Sequence, residues 1–156
     1  MKLGSPTSIR ATLLNLSQKE DLLFQQVVTR YLHERLLHRL SLSEYKQNFI
    51  LKGGNLLYAF GGIGTRPTVD IDMLARKVAN DMESMRDIFA KVCAIKYDDD
   101  CVVFDPTNIA VSEISQENKY TGIRLQITAK FDTIKQIIQV DIGFGDVITP
   151  KPLSLQ

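Results

Sequence analysis

The chain has 156 residues, 44% hydrophobic and 24% charged, with a formal net charge of +1. That length supports one ordinary core burying about 68–70% of the unfolded surface, and the composition excludes a disordered or membrane-spanning chain. Charge is uneven: residues 1–52 carry eight Lys or Arg against four Asp or Glu, a balance of +4, so the remainder sums to −3. Such asymmetry suits a phosphate-rich partner on the N-terminal helices beside an acidic metal-binding half.

Ser5-Pro6 opens a helix expected over Ser8 to Leu16, with Ile9, Leu13 and Leu16 at helical spacing. Ser17 and Glu20 have the offset of a capping box, which predicts a second helix over about 19–40 with Leu23, Val27, Tyr31, Leu32, Leu36 and Leu40 as its apolar stripe. Ser41 and Glu44 repeat that offset and predict a short helix over 42–47. Arg30, His33, Arg35, His38 and Arg39 fall largely off the stripe, as a solvated helix face or an RNA-contacting surface. Phe49-Ile50-Leu51 reads as a short strand, followed by a glycine turn and a helix from Asn55 to Phe60. The Gly61–Gly64 loop leads to a second strand, where Val69, Ile71 and Met73 alternate with Asp70 and Asp72. Asn80 and Glu83 mark another helix start, with Met82, Met85, Ile88, Phe89 and Val92 on its buried side. Asp98-Asp99-Asp100 is a turn, and strands follow at 101–104, 109–114, 123–131 and 136–144, with a hairpin bend at Asp132-Thr133. Cys93 and Cys101, remote from His33 and His38, lack zinc-site spacing and read as packing residues. The N-terminus lacks the apolar core of a secretory signal, so the expected location is cytoplasmic, without membrane insertion.

Two residues apart on a strand, Asp70 and Asp72 share a face with Cα atoms about 6.5–7 Å apart, so their carboxylates can converge on one ion. Without a cation, two carboxylates drawn to about 4 Å repel by about 1–4 kcal/mol in water-like to near-surface dielectrics. Magnesium is the expected occupant, with manganese as the alternative, because it takes oxygen ligands and completes its shell with phosphate and water. Gly53 and Gly54 admit phosphate oxygens to the N–H groups that open the Asn55 helix, unless they form a plain tight turn. Arg66 lies on the approach to the acidic strand, to neutralise phosphate or to pair with an acid. Asp141, amid apolar Ile137 to Phe144, needs a partner: a shared magnesium site, or a salt bridge to a Lys or Arg. A third carboxylate is wanted because metal-assisted phosphoryl-type transfer commonly uses two ions, or one ion and a base for the incoming hydroxyl.

The chain resembles the AbiEii/AbiGii toxin family of nucleotidyltransferases. The likeness rests on Glu34 to Ser41, Leu51-Lys52-Gly53-Gly54, Arg66 to Asp72, Val103-Phe104-Asp105, Tyr120 to Arg124 and Val140 to Asp146. It implies an α+β nucleotidyltransferase fold, a mixed sheet with flanking helices, as one domain over 1–156: a helical N-terminal segment (1–48) and a catalytic part (49–156). It also implies transfer of a nucleoside monophosphate from an NTP to an acceptor, with tRNA as the expected acceptor and a cognate antitoxin as partner. In that reading Asp70, Asp72 and Asp141 are catalytic and hold the metal, and Lys52, Gly53, Gly54, Asn55 and Arg66 bind nucleotide. Many nucleotidyltransferases carry Gly-Ser where this chain has Gly54-Asn55, and family members usually continue past the position of Gln156 into a helical segment with a nucleotide-contacting lysine. The alternatives are a small-molecule or protein acceptor, and a non-catalytic module that binds nucleotide or a partner.

Overall fold

The computed structural model describes residues 4–52 and 70–145, apart from the side chains of Gln116 and Tyr120. Helix α1 spans Pro6–Glu20; Ser5 Oγ accepts from the Ser8 N–H at 3.1 Å, and the Ser5 N–H donates to Ser8 Oγ at 3.0 Å. Pro6 fits the first turn, where its missing N–H costs nothing. The helix does not stop at Ser17 as expected. Ser17 is buried and its Oγ donates to the Leu14 carbonyl at 2.7 Å, so the hydroxyl bonds back into the helix instead of capping a new one. The break comes at Asp21, whose φ of 57° is left-handed.

Helix α2 spans Phe24–Leu42 and buries Val27, Val28, Leu32, Leu36 and Leu40. The short helix expected over 42–47 is replaced by a turn and a 3-10 segment, Lys46–Asn48. Ser41 explains the difference, since its Oγ also bonds backwards, to the His38 carbonyl at 2.6 Å.

Strands β1 (Phe49–Leu51), β2 (Asp70–Ala75), β3 (Val102–Gln116), β4 (Lys119–Phe131) and β5 (Ile134–Phe144) form one mixed sheet in the order β1-β2-β5-β4-β3. Only β2 and β5 pair in parallel among these. The two strands expected over 101–114 are one long strand whose register shifts between Phe104 and Ile109, where Thr107 bonds back to Asp105 across Pro106. Glu117 and Asn118, both at positive φ, turn β3 into β4, and Asp132, at φ 56°, turns β4 into β5 at the expected bend.

Helix α3 spans Met82–Ala94 and is capped by Asp81, whose Oδ1 accepts from the Ser84 N–H at 2.7 Å, rather than by Asn80. Its buried side is Met85, Ile88, Phe89, Val92 and Cys93; Met82, in the first turn, is 39% exposed instead of buried. Both cysteines are free thiols. Ile71, Met73 and Ala75 of β2, Ile138, Val140 and Ile142 of β5, and Ile123, Leu125, Ile127, Ala129 and Phe131 of β4 are buried in one cluster with apolar residues of the three helices. The opposite sheet face carries the polar residues in alternation.

The expected basic helix face is not one. Arg39 is 2% exposed and grips Asp100, itself 0% exposed, through bonds of 2.8 and 3.0 Å. It also donates to the carbonyls of Arg35, Tyr97 and Val102. Arg35 Nε lies 3.0 Å from the same carboxylate, Tyr31 donates to the Asp100 carbonyl at 2.7 Å, and His33 is buried. These side chains pin α2 to the segment entering β3, because a buried carboxylate must be paired. Asp100→Asn strands two guanidinium groups and is expected to cost about 3–5 kcal/mol in urea denaturation.

His38 lies edge-on to Tyr97, ring centroids 4.6 Å apart. Burial, then the charges of Arg35 and Arg39, hold its pKa below the ordinary 6.5, against the opposing pull of Asp100. The unfolded chain therefore takes this proton at higher pH than the folded one. Stability from this site is complete above about pH 6.5 and falls as pH drops through the window below it. Replacing His38 by Phe should flatten that part of the plot of thermal midpoint against pH.

Candidate functional site

The parallel register between β2 and β5 sets Asp70 beside Gln139 and Asp72 beside Asp141. On the other flank of β5, Gln139 faces Gln126 and Asp141 faces Arg124. Directly paired residues point to one side of a sheet, so Asp70, Asp72, Asp141 and Arg124 share the face opposite the apolar core. Alternation puts Ile71, Met73 and Val140 into the core and delivers each carboxylate outward.

Arg124 binds Asp141 as a two-pronged fork, Nε to Oδ1 at 2.9 Å and Nη2 to Oδ2 at 3.1 Å. Of the two partners considered for Asp141, the described residues supply the salt bridge. Gln126 Nε2 donates to Gln139 Oε1 at 3.2 Å, which continues the polar face along the strands. Asp70 is pushed above the ordinary carboxylate range, first by burial and then by the negative charge of Asp141, with a smaller push from Asp72. A hydrogen bond from Gln139 and the charge of Arg124 oppose the shift. Arg124 is held still more firmly protonated, first by its bonds to Asp141 and further by the fields of Asp70 and Asp72. The three carboxylates and the arginine thus form one electrostatic unit.

Lys52 extends this unit. Its N–H donates to the Asp72 carbonyl at 3.0 Å, and its ammonium lies over Gly143, where a Cβ would sit 3.6 Å from Nζ. That distance is ordinary van der Waals contact, so it places the ammonium beside Gly143 on the sheet face of Asp141 without making glycine a requirement there. At Gly122, on the same strand as Arg124, a Cβ would collide with the Ile142 carbonyl oxygen, so glycine there permits the close approach of β4 to β5. Gly53, Gly54, Asn55 and Arg66 lie outside the described residues.

The donors suit a hard divalent cation in type: three carboxylates on adjacent strands, two of them register partners. Among the described residues no three His, Cys, Asp or Glu side chains stand together as a ready ligand set. Arg124, Gln126, Gln139 and Gly143 were not picked out from the residues as members of the site. Counting back from the Asp132-Thr133 bend would have paired Arg124 with Asp141.

The balance of charge separates two substitutions. Asp70→Asn removes a repelled carboxylate and should stabilise the metal-free protein by under about 1 kcal/mol after solvent screening, seen as a slightly higher thermal midpoint. Asp141→Asn takes away the partner of Arg124 and should lower that midpoint, read by differential scanning calorimetry in EDTA.

Compared with curated proteins, the chain has no significant match. Residues 35–155 match the family described as nucleotidyl transferase AbiEii toxin, Type IV TA system, a span from within α2 through the whole sheet. By that match over most of its length, the chain belongs to the AbiEii family of nucleotidyltransferase toxins from type IV toxin–antitoxin systems.

Proposed function

We propose that the chain is a single nucleotidyltransferase-like domain, helical over 1–48 and catalytic over 49–156, that transfers a nucleoside monophosphate from an NTP to an acceptor. The acceptor in this reading is tRNA, the setting is the cytoplasm, and a cognate antitoxin counters the activity. Among the described residues no helix is long and apolar enough to cross a membrane. The observation that carries the reading is the β2–β5 register, which lines up Asp70, Asp72 and Asp141 on one sheet face with Lys52 at its edge.

Asp70, Asp72 and Asp141 would hold magnesium, or manganese in its place, which supplies charge to neutralise the reacting phosphate. Asp141 completes the ligand set or takes the proton of the attacking hydroxyl. The hydroxyl oxygen bonds to the α-phosphorus as the bond to the β-phosphate oxygen breaks, and pyrophosphate leaves with that electron pair. Lys52, with Gly53, Gly54, Asn55 and Arg66, binds the triphosphate. Positioning and charge neutralisation supply most of the rate.

A second reading has one observation in its favour. Asp141 already has a cationic partner in Arg124, as it would in a module that binds nucleotide or a protein without catalysis, the metal unnecessary. A small-molecule or protein hydroxyl is the alternative acceptor.

The deciding experiment is label transfer from each of the four α-labelled NTPs, with magnesium, into total tRNA and total protein. Label should enter tRNA and fall by about 10²–10³-fold with Asp70→Ala, a loss of several kcal/mol of transition-state stabilisation. Label in protein instead reassigns the acceptor. Saturable NTP binding without transfer supports the binding module.

A further inference from the structure

Two arginines that each fork onto an aspartate are held very differently. Arg39 makes five hydrogen bonds and is 2% exposed, so it is locked. Arg124 has a side chain 41% exposed, and the hydrogen bonds seen for it, at 2.9 and 3.1 Å, both go to Asp141. Nothing in the core has to open for its guanidinium to move.

That fork takes both oxygens of Asp141, the same atoms a divalent ion would need. A guanidinium cannot lose its proton and cannot serve as a ligand. An ion that takes either of the lone pairs held by the fork must displace an N–H of Arg124, and an ion on the remaining lone pairs still lies close to the guanidinium, so the two cations repel at short range. Asp72, the register partner of Asp141, and Asp70 add to the field that retains Arg124. A guanidinium released from a carboxylate is shaped for one other partner expected on this face, since its fork fits phosphate oxygens as well as carboxylate oxygens.

Resting on the nucleotidyltransferase reading above, we propose that Arg124 is the resident cation of the acidic face. It holds Asp141 while no divalent ion is bound, and it surrenders that carboxylate to the ion as nucleoside triphosphate arrives, its own fork passing to the phosphate oxygens. Arg124 is on this account a positioning residue before substrate binds and a substrate contact afterwards. Ion and nucleotide then bind cooperatively, because the ion alone is opposed by a guanidinium that has no phosphate to receive it.

Manganese binding, followed by the EPR signal of the free ion, tests this on the whole chain. Without nucleotide, Arg124→Met should bind Mn²⁺ about tenfold more tightly than the wild type. An arginine that merely orients Asp141 as a ligand predicts the opposite sign, a loss of about 10- to 100-fold, and an equal or weaker affinity overturns the proposal. With saturating Mn²⁺, the affinity for an α,β-methylene NTP should fall about tenfold in Arg124→Met, and unchanged affinity overturns the hand-over to phosphate.

Should Arg124→Met fail to fold by circular dichroism, Arg124→Lys applies the same test. Its point charge cannot span both carboxylate oxygens, so Mn²⁺ should bind about threefold more tightly, and no gain overturns the proposal. Asp72→Asn separates the two levels of argument. If it abolishes Mn²⁺ binding while Arg124→Met matches the wild type, the resident-cation proposal alone falls. If all three proteins bind Mn²⁺ alike, the metal reading of the site falls with it.

Discussion

The structure around the candidate site depends on the parallel register of β2 against β5. A sheet strand has a side-chain period of two, so a slip of one residue would turn Ile71 and Met73 to solvent and carry Asp70 and Asp72 into the core. Burying a large aliphatic side chain contributes about 1.5–3 kcal/mol, and an unpaired buried carboxylate costs more, so the two effects enforce one register together. The same register brings Asp72 alongside Asp141, where like charges repel. Core packing therefore creates the electrostatic problem that Arg124 offsets in the described structure and that a divalent ion would offset in the proposed reaction.

A second charged cluster shows how differently buried and half-exposed ion pairs act. Asp100 with Arg39 and Arg35 ties α2 to the start of β3, inside the protein, with every oxygen of the carboxylate engaged. Its role is to fix where one helix meets the sheet, since none of those groups can remain there alone. Arg124 and Asp141 lie on the outer face, where water competes for both groups and the pair can exchange partners. The structural pair is thus closed off from water, and the pair at the candidate site is open to it.

The arrangement also explains why charge counts misled along α2. An excess of cations in the N-terminal third suggested an outward basic face, yet Arg39 and His33 are buried and Arg35 turns inward. Helical periodicity marked these positions as off the apolar stripe. It could not show that the off-stripe side of α2 meets Asp100, which is far away in the chain, because long side chains are drawn in wherever a buried opposite charge waits. Serine offsets misled for a related reason: Ser17 and Ser41 satisfy their hydroxyls on carbonyls three residues back, a local choice that leaves no cap to form.

The sequence by itself determined the alternation that sends Ile71 and Met73 inward and Asp70 and Asp72 outward, the bend at Asp132, the strand Phe49–Leu51, the buried stripe of α3 from Met85 to Val92 and the family motifs. Each is a local signal, set by a period of 2 or 3.6 residues or by a turn residue. Tertiary structure decided what those residues meet: that Asp141 lies between Asp72 and Arg124, that Lys52 reaches over Gly143, and that Arg39 is a core residue. The physical reason is that strand pairing order and the partners of long charged side chains depend on the whole chain's packing and charge balance. A run of neighbours in sequence carries neither.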